Sequence, residues 1–141
     1  MSQPDPHSFI SALPFARALG MRLEAISAGE ARISMDWDAR FVGDPATGVI
    51  HGGAVSALMD TCGGAAVMSY PGATTTATID LRIDYMRAST PGQRITARAV
   101  CYHVTRNVAF VRATAHDDDS ENPVATASGA FTFDHVKKVS K

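Results

Sequence analysis

The segment from residue 48 to residue 53 could form an oxyanion site. It reads Gly-Val-Ile-His-Gly-Gly and directly precedes the most regular helical pattern in the chain. The first N–H groups of a helix have no partner within the helix, and the positive end of the helix dipole lies there. A ligand could reach the amides of Gly52 and Gly53 because glycine has no side chain. A carbonyl oxygen that gains negative charge would be stabilised at such a place.

Asp60 is the second group that could take part in chemistry. No other Asp, Glu, Lys or Arg lies between Asp44 and Asp80, and Asp60 falls off the apolar stripe of the predicted helix. Its carboxylate could act as a general base or as a nucleophile. With the amides at the helix start, it would supply a base beside an oxyanion site.

Each of these residues also has a purely structural interpretation. The two glycines can be only a tight turn, and an isolated Asp60 can be a solvated side chain. For His51 we favour a capping role at the helix start over a catalytic one. The remaining histidines do not follow metal-ligand spacing, so we predict no metal site. The run of acids from Asp117 to Asp119 predicts a solvated hairpin tip.

A helix of about four turns must position these groups. Its apolar residues recur at helical spacing from Gly53 onward, and the pattern ends near residues 69–72. Gly63 and Gly64 lie in its interior, where each costs about 1 kcal/mol relative to alanine. This cost predicts that another backbone approaches the helix closely. The stripe consists of Val55, Leu58, Met59, Cys62, Ala65 and Ala66.

The rest of the chain alternates as β-strands do. Four runs after the helix, at residues 76–85, 94–101, 109–116 and 125–133, have the period of two. Residues 21–37 predict a strand pair or one long bent strand, and residues 39–50 predict a loop. Residues 1–20 predict short helical turns broken at Pro14, and residues 134–141 a flexible tail. We therefore expect a single α+β domain over residues 1–141.

Composition excludes several classes of function. The chain has 141 residues, 45% of them hydrophobic, and a net charge of −1 without a basic block. Binding to duplex nucleic acid is therefore not expected. We predict no signal peptide and no membrane span. The two cysteines, Cys62 and Cys101, are not spaced as a redox pair, which favours the reducing cytoplasm.

The order of the motifs resembles the hotdog-fold acyl-CoA thioesterases of the phenylacetate-pathway, or PaaI-like, type. The likeness runs from about residue 15 to residue 133. It rests on five pieces: His51-Gly52-Gly53, Asp60, residues 77–86 (Ala-Thr-Ile-Asp-Leu-Arg-Ile-Asp-Tyr-Met), Pro91-Gly92, and the closing run at residues 124–131.

This resemblance implies a hotdog fold, in which one long central helix is wrapped by five or six antiparallel strands. It also implies homodimers that join edge to edge, often paired into homotetramers, with the active site at the subunit interface. We predict that residues 76–86 form the pairing edge. By similarity, the Gly52 N–H would polarise the thioester carbonyl. Asp60 of the facing subunit would activate a water or attack the thioester itself, and Thr78 would help to position the water.

The resemblance has one departure at the substrate-binding positions. The family often carries an Asn shortly before the His-Gly-Gly, whereas this chain has Asp44. A carboxylate cannot donate a hydrogen bond to a carbonyl, so either the site works without that donor or Asp44 faces elsewhere. His51 and Gly53 would adjoin the substrate. The candidates for the phosphates of coenzyme A are Arg87, Arg106, Lys137 and Lys138.

The expected activity is hydrolysis of an acyl-CoA to the free acid and coenzyme A. No cofactor is expected beyond the coenzyme A of the substrate. Two alternatives remain open at this point: a hotdog acyl-thioester hydratase or dehydratase, and a non-catalytic acyl-CoA-binding protein. The sequence does not define the acyl chain, or whether the thioester is carried by coenzyme A or by a carrier protein.

Overall fold

The computed structural model describes residues 6–136. The elements follow one another as α1 (Pro6–Ala12), α2 (Pro14–Ala18), β1 (Arg22–Ser27), β2 (Glu30–Met35), a 3-10 turn (Ala39–Phe41), β3 (Val42–Asp44), β4 (Val49–Ile50), α3 (Gly52–Met68), β5 (Ala73–Thr75), β6 (Thr78–Tyr85), β7 (Ile95–Val104), β8 (Val108–His116), β9 (Ala125–Thr132) and β10 (Asp134–His135).

Six of these strands form one antiparallel sheet in the described part of the chain. Their order is β1-β2-β7-β8-β9-β6. The sheet takes up all four strands predicted after the helix. Residues 21–37 form a strand pair, with the β1–β2 turn where the bend was expected. The α+β prediction is therefore confirmed, and the sheet has six strands.

Helix α3 lies against the inner face of this sheet. Its predicted apolar stripe is fully buried. The facing strands present alanines such as Ala97, Ala99 and Ala113, which are also buried. Small side chains on both surfaces let the helix and the sheet approach closely.

The two interior glycines of α3 have different surroundings. A Cβ on Gly63 would lie 2.7 Å from the Cζ atom of Phe131, so the ring of Phe131 occupies that space. A Cβ on Gly64 would meet only the Cγ2 atom of Thr76, at 3.8 Å. The prediction of a close backbone approach is wrong for both, because an aromatic side chain packs on one glycine and open space adjoins the other.

Smaller elements correct two predicted boundaries. The predicted loop at 39–50 contains the β3–β4 hairpin, which is held by backbone pairing just before α3. Residues 134–135, predicted as the start of a flexible tail, pair with β5. Residues 137–141 of that tail lie outside the described residues. At the other end, helices α1 and α2 meet at Leu13, and Pro14 opens α2 as expected.

Strand β6 forms one edge of the large sheet. In residues 6–136 its backbone pairs on one side only, with β9. Ile79 is 56% exposed and Tyr85 is 51% exposed. An uncovered edge that carries apolar side chains is a surface on which another strand can pair.

Candidate active site

The start of helix α3 presents a free amide at Gly52. His51 is the N-cap, and its Nδ1 atom accepts a hydrogen bond from Gly53 N at 2.8 Å. Its carbonyl accepts from Ala54 N at 2.9 Å. Within the described chain, no acceptor lies in hydrogen-bonding reach of the Gly52 N–H. The Gly52 amide is therefore the donor that a ligand can use, whereas the Gly53 amide is engaged by the capping imidazole.

Tyr85 adjoins Gly52, and the motif analysis did not assign it a role. Its hydroxyl donates to the Gly52 carbonyl oxygen at 2.8 Å. A cavity of about 390 Å³ lies beside them, with Val55, Met86 and Val124 among its lining residues. Ser89 also lines this cavity, and among described residues its buried hydroxyl has no protein partner. Tyr85 belongs to the motif at residues 77–86. Its aromatic ring at the end of an edge strand is the sequence feature that could have indicated this contact.

Asp60 lies beside Thr78, the residue for which the resemblance implied a role in positioning the water. The Thr78 hydroxyl donates to the Asp60 Oδ1 atom at 2.5 Å. Both residues line a second cavity of about 190 Å³. Asp60 is eight residues after Gly52 on the same helix, about 12 Å along the axis at 1.5 Å per residue. In one chain, the two groups therefore adjoin separate cavities rather than one carbonyl.

Strand β6 contacts both of these half-sites, the one at Gly52 and the one at Asp60, with its opposite ends. Its first residue, Thr78, donates a hydrogen bond to Asp60, and its last residue, Tyr85, donates one to the Gly52 carbonyl. If two copies of an edge strand pair antiparallel, the first residue of one copy lies near the last residue of the other. The positions of these contacts therefore suit a site that is completed by a second chain.

Asp44 faces its own turn instead of the helix start. Its carboxylate accepts from Ala46 N at 3.1 Å and from the Thr47 hydroxyl at 2.9 Å. These contacts close the β3–β4 hairpin as an Asx turn. Of the two options that the sequence left open, the structure supports the one in which Asp44 faces elsewhere.

The two arginines predicted for phosphate binding have different surroundings. Arg87 donates to both carboxylate oxygens of Asp117, at 2.7 and 2.6 Å, and to the Asn122 carbonyl. Hydrogen bonds from Arg87 hold the pKa of Asp117 well below its usual range. Arg106 is exposed at the β7–β8 turn. The ion pair of Arg87 with Asp117 fixes residues 87–90, and residues 87–89 of this segment line the cavity at Gly52. Lys137 and Lys138 lie outside the described residues.

Asp117 corrects the prediction of a solvated acidic turn. Its side chain is buried, and it also accepts from the Thr90 amide and hydroxyl, each at 3.0 Å. Asp118 and Asp119 are exposed, as expected. The acidic run is therefore one structural anchor followed by two solvated residues.

Neither cysteine is suited to nucleophilic chemistry. Burial raises the pKa of the Cys62 thiol to about 12 and that of Cys101 to about 11. Both are free thiols. Across residues 6–136, His, Cys, Asp and Glu form no group of three or more that could hold a metal ion. Over the same span, no helix is both long and apolar enough to cross a membrane.

The fold and the two half-sites define a class of protein. A helix wrapped by a six-stranded antiparallel sheet, with a free glycine amide at the helix start and a carboxylate two turns later, is the hotdog arrangement of a thioester hydrolase. The family model of the Thioesterase superfamily matches residues 47–124. The chain belongs to the Thioesterase superfamily, and the predicted resemblance is confirmed.

Individual relatives agree with this assignment. The chain is similar to the medium/long-chain acyl-CoA thioesterase YigI of Salmonella typhimurium and of Escherichia coli, with 30% identity over 87% of each chain. Among solved structures, it is similar to a protein of Pseudomonas aeruginosa, with 38% identity, a TM-score of 0.81 and coverage of 90% of this chain and 95% of the other. A mutant of the phenylacetic acid degradation protein PaaI from Thermus thermophilus has 29% identity, a TM-score of 0.75 and coverage of 85% and 98%.

Proposed function

We propose that this protein hydrolyses acyl-CoA thioesters, with an acyl chain of medium or long length. The observation that carries the proposal is that helix α3 presents both a Gly52 amide without a hydrogen-bond partner among the described residues and the Asp60 carboxylate, to which Thr78 donates. The similarity to YigI, an acyl-CoA thioesterase for medium and long chains, supports the choice of substrate.

In the proposed reaction, the Gly52 N–H binds the thioester carbonyl oxygen. Negative charge develops on that oxygen when the carbonyl carbon is attacked, and the helix dipole stabilises it there. Asp60 either removes a proton from the attacking water or attacks the carbonyl carbon itself. The carbon–sulfur bond then breaks, and coenzyme A leaves as a thiolate that takes up a proton. In the general-base route this step releases the free acid directly. In the nucleophilic route it leaves a mixed anhydride on Asp60, which a water molecule hydrolyses to the free acid and the regenerated carboxylate. Thr78 orients the carboxylate through the 2.5 Å hydrogen bond.

The proposed site is shared by two subunits. A Gly52 amide and an Asp60 carboxylate about 12 Å apart along one helix cannot both touch one carbonyl group. Antiparallel pairing of two β6 strands brings Tyr85 and Gly52 of one subunit towards Thr78 and Asp60 of the other. We propose a homodimer built on this pairing, with association of dimers into a tetramer as a further step.

The surroundings of the substrate follow from the same arrangement. We propose that no metal or other cofactor takes part and that coenzyme A enters only as part of the substrate. The exposed Arg106 remains the candidate in the described chain for its phosphates. Two free thiols and a coenzyme A substrate support a cytoplasmic location.

A thiol-release assay over a series of acyl-CoAs tests the proposed function, with the Asp60→Asn variant beside the wild type. Asn keeps the size of the side chain but is neither a base nor a good nucleophile. We expect kcat and kcat/KM to fall together by about 10²–10⁴-fold, with KM little changed. Addition of a chelator should leave the wild-type rate unchanged.

The matched control is Asp118→Asn, which removes an exposed carboxylate from the β8–β9 turn. It should retain the wild-type rate. If Asp60→Asn folds and keeps its rate within about twofold, the role of Asp60 is wrong. Turnover of an unsaturated acyl-CoA without thiol release would instead indicate a hydratase, and binding without turnover would indicate a non-catalytic acyl-CoA-binding protein.

A further inference from the structure

The cavity beside Asp60 extends away from the carboxylate along helix α3. Its volume is about 190 Å³, roughly that of six water molecules at about 30 Å³ each. Gly64 lies one turn after Asp60, on the same face of the helix, and lines this cavity. Phe9 and Leu13, from the N-terminal helical segment, line it as well. The cavity is therefore a slot between that segment and α3 that opens at the proposed catalytic acid.

Gly64 has no packing requirement of its own. At the neighbouring Gly63, a Cβ would lie 2.7 Å from Phe131, so packing requires a glycine there. At Gly64, a Cβ would have only an ordinary contact of 3.8 Å with Thr76, and helix interiors favour alanine over glycine. A residue that the helix does not favour and that packing does not require leaves space for something that is not part of this chain.

The walls of the slot suit a hydrocarbon. Phe9, Leu13, Ala77 and Phe131 supply apolar surface, and the threonines that also line the slot add methyl groups as well as hydroxyls. None of the described residues that line the slot is positively charged, so the diphosphate of coenzyme A would have no cation there. An acyl chain attached to a carbonyl at Asp60 would bury its methylenes against these walls.

We propose that the slot holds the acyl chain of the substrate and that Gly64 sets the length of chain it accepts. This inference rests on the thioesterase activity proposed above and adds to it a residue that determines specificity. A side chain at position 64 fills the slot from the helix side and shortens the space that remains for methylenes.

The test measures kcat/KM for saturated acyl-CoAs from about four to sixteen carbons with Gly64→Ala and Gly64→Leu. Exclusion of one methylene from apolar surroundings lowers affinity about fourfold. We expect Gly64→Ala to reduce kcat/KM for the longest chains about fourfold and Gly64→Leu on the order of 10²-fold. The shortest chain should be little affected in both.

Two controls separate the slot from general damage. Ala28→Leu adds comparable bulk on the exposed β1–β2 turn and should leave the length profile unchanged. Gly64→Ala should melt no lower than the wild type, because its Cβ meets ordinary contacts only. It therefore remains informative if Gly64→Leu does not fold.

A second readout does not depend on turnover. Non-hydrolysable S-alkyl-CoA thioethers of the same lengths are titrated calorimetrically into the Asp60→Asn protein with and without Gly64→Ala. The added methyl should weaken the long thioethers and not the short ones. If no acyl-CoA is hydrolysed but this length dependence is present, the proposed activity is wrong and the slot is correct. If the substitutions weaken all lengths equally, or none, the assignment of the slot to the acyl chain is overturned.

Discussion

A subunit-complementation experiment tests whether two chains build each site. One chain carries Gly52→Pro, which removes the free N–H, and the other carries Asp60→Asn. Proline fits the first position of a helix. His51 has φ −58° and ψ 134°, the extended conformation that a residue before proline adopts. Each variant alone should lose at least about 10²-fold in kcat, because each lacks one of the two catalytic groups.

The mixed dimer should recover activity because its two sites differ. One site combines both defects, whereas the other combines the intact Gly52 of the Asp60→Asn chain with the intact Asp60 of the Gly52→Pro chain. Co-expression with two different tags and tandem purification isolates this species. We expect about half of the wild-type rate per dimer, which is about 50-fold or more above either parent.

Gly52→Ala is the matched control for the proline variant. It adds a Cβ 3.4 Å from the Tyr85 ring, an ordinary contact, and keeps the N–H. Its homodimer should therefore retain more activity than that of Gly52→Pro, because only bulk is added and the donor remains. A mixed dimer no faster than its parents, with both chains folded and associated, would refute the shared site and require Gly52 and Asp60 of one chain to act together.

Two further predictions concern stability and assembly. Asp117→Asn should lower the free energy of unfolding by about 2–3 kcal/mol at pH 7, because hydrogen bonds to a buried charge are lost. The pKa of Asp117 is lower in the folded than in the unfolded chain, so this difference should be present above about pH 4 and shrink as the pH falls below it. Urea unfolding of both proteins at pH 7 and pH 3 checks it, and an equal difference at both pH values would contradict the argument. Ile79→Asp places a charge on the exposed β6 edge and should convert dimers to monomers in analytical ultracentrifugation, with loss of activity, whereas Asp118→Asn should not. An active monomer would contradict the proposed interface.

The main elements could be read from the sequence because their patterns are strong and local. The helical stripe from Val55 to Ala66 predicted a helix from Gly53 to about residues 69–72, and the observed bounds of α3 are Gly52–Met68. Alternation likewise placed the strands of the sheet. The β3–β4 hairpin was missed because its strands are two or three residues long and have no readable period.

Partners of individual side chains were harder to predict because they depend on contacts distant in sequence. Arg87 looked like a free cation, but Asp117, 30 residues away, neutralises it. The Gly53 amide looked as available as that of Gly52, but the imidazole of His51 engages it. The family resemblance placed Asp60 and Thr78 in one site, but their direct hydrogen bond was not predicted, since 18 residues separate them.

Helix α3 and strand β6 together explain why the motif residues must occur in this order. The helix carries the oxyanion donor at its start and the carboxylate two turns later, too far apart for one carbonyl. Strand β6 contacts both through side chains at its two ends, so an antiparallel pairing of its free edge that sets Thr78 opposite Tyr85 would bring the unlike halves of two subunits together. In the proposed dimer, the distance that prevents a site within one chain would therefore give two equivalent sites. The slot at Gly64 lies beside the carboxylate of one subunit, so the proposed slot for the acyl chain and the oxyanion donor would be contributed by different subunits.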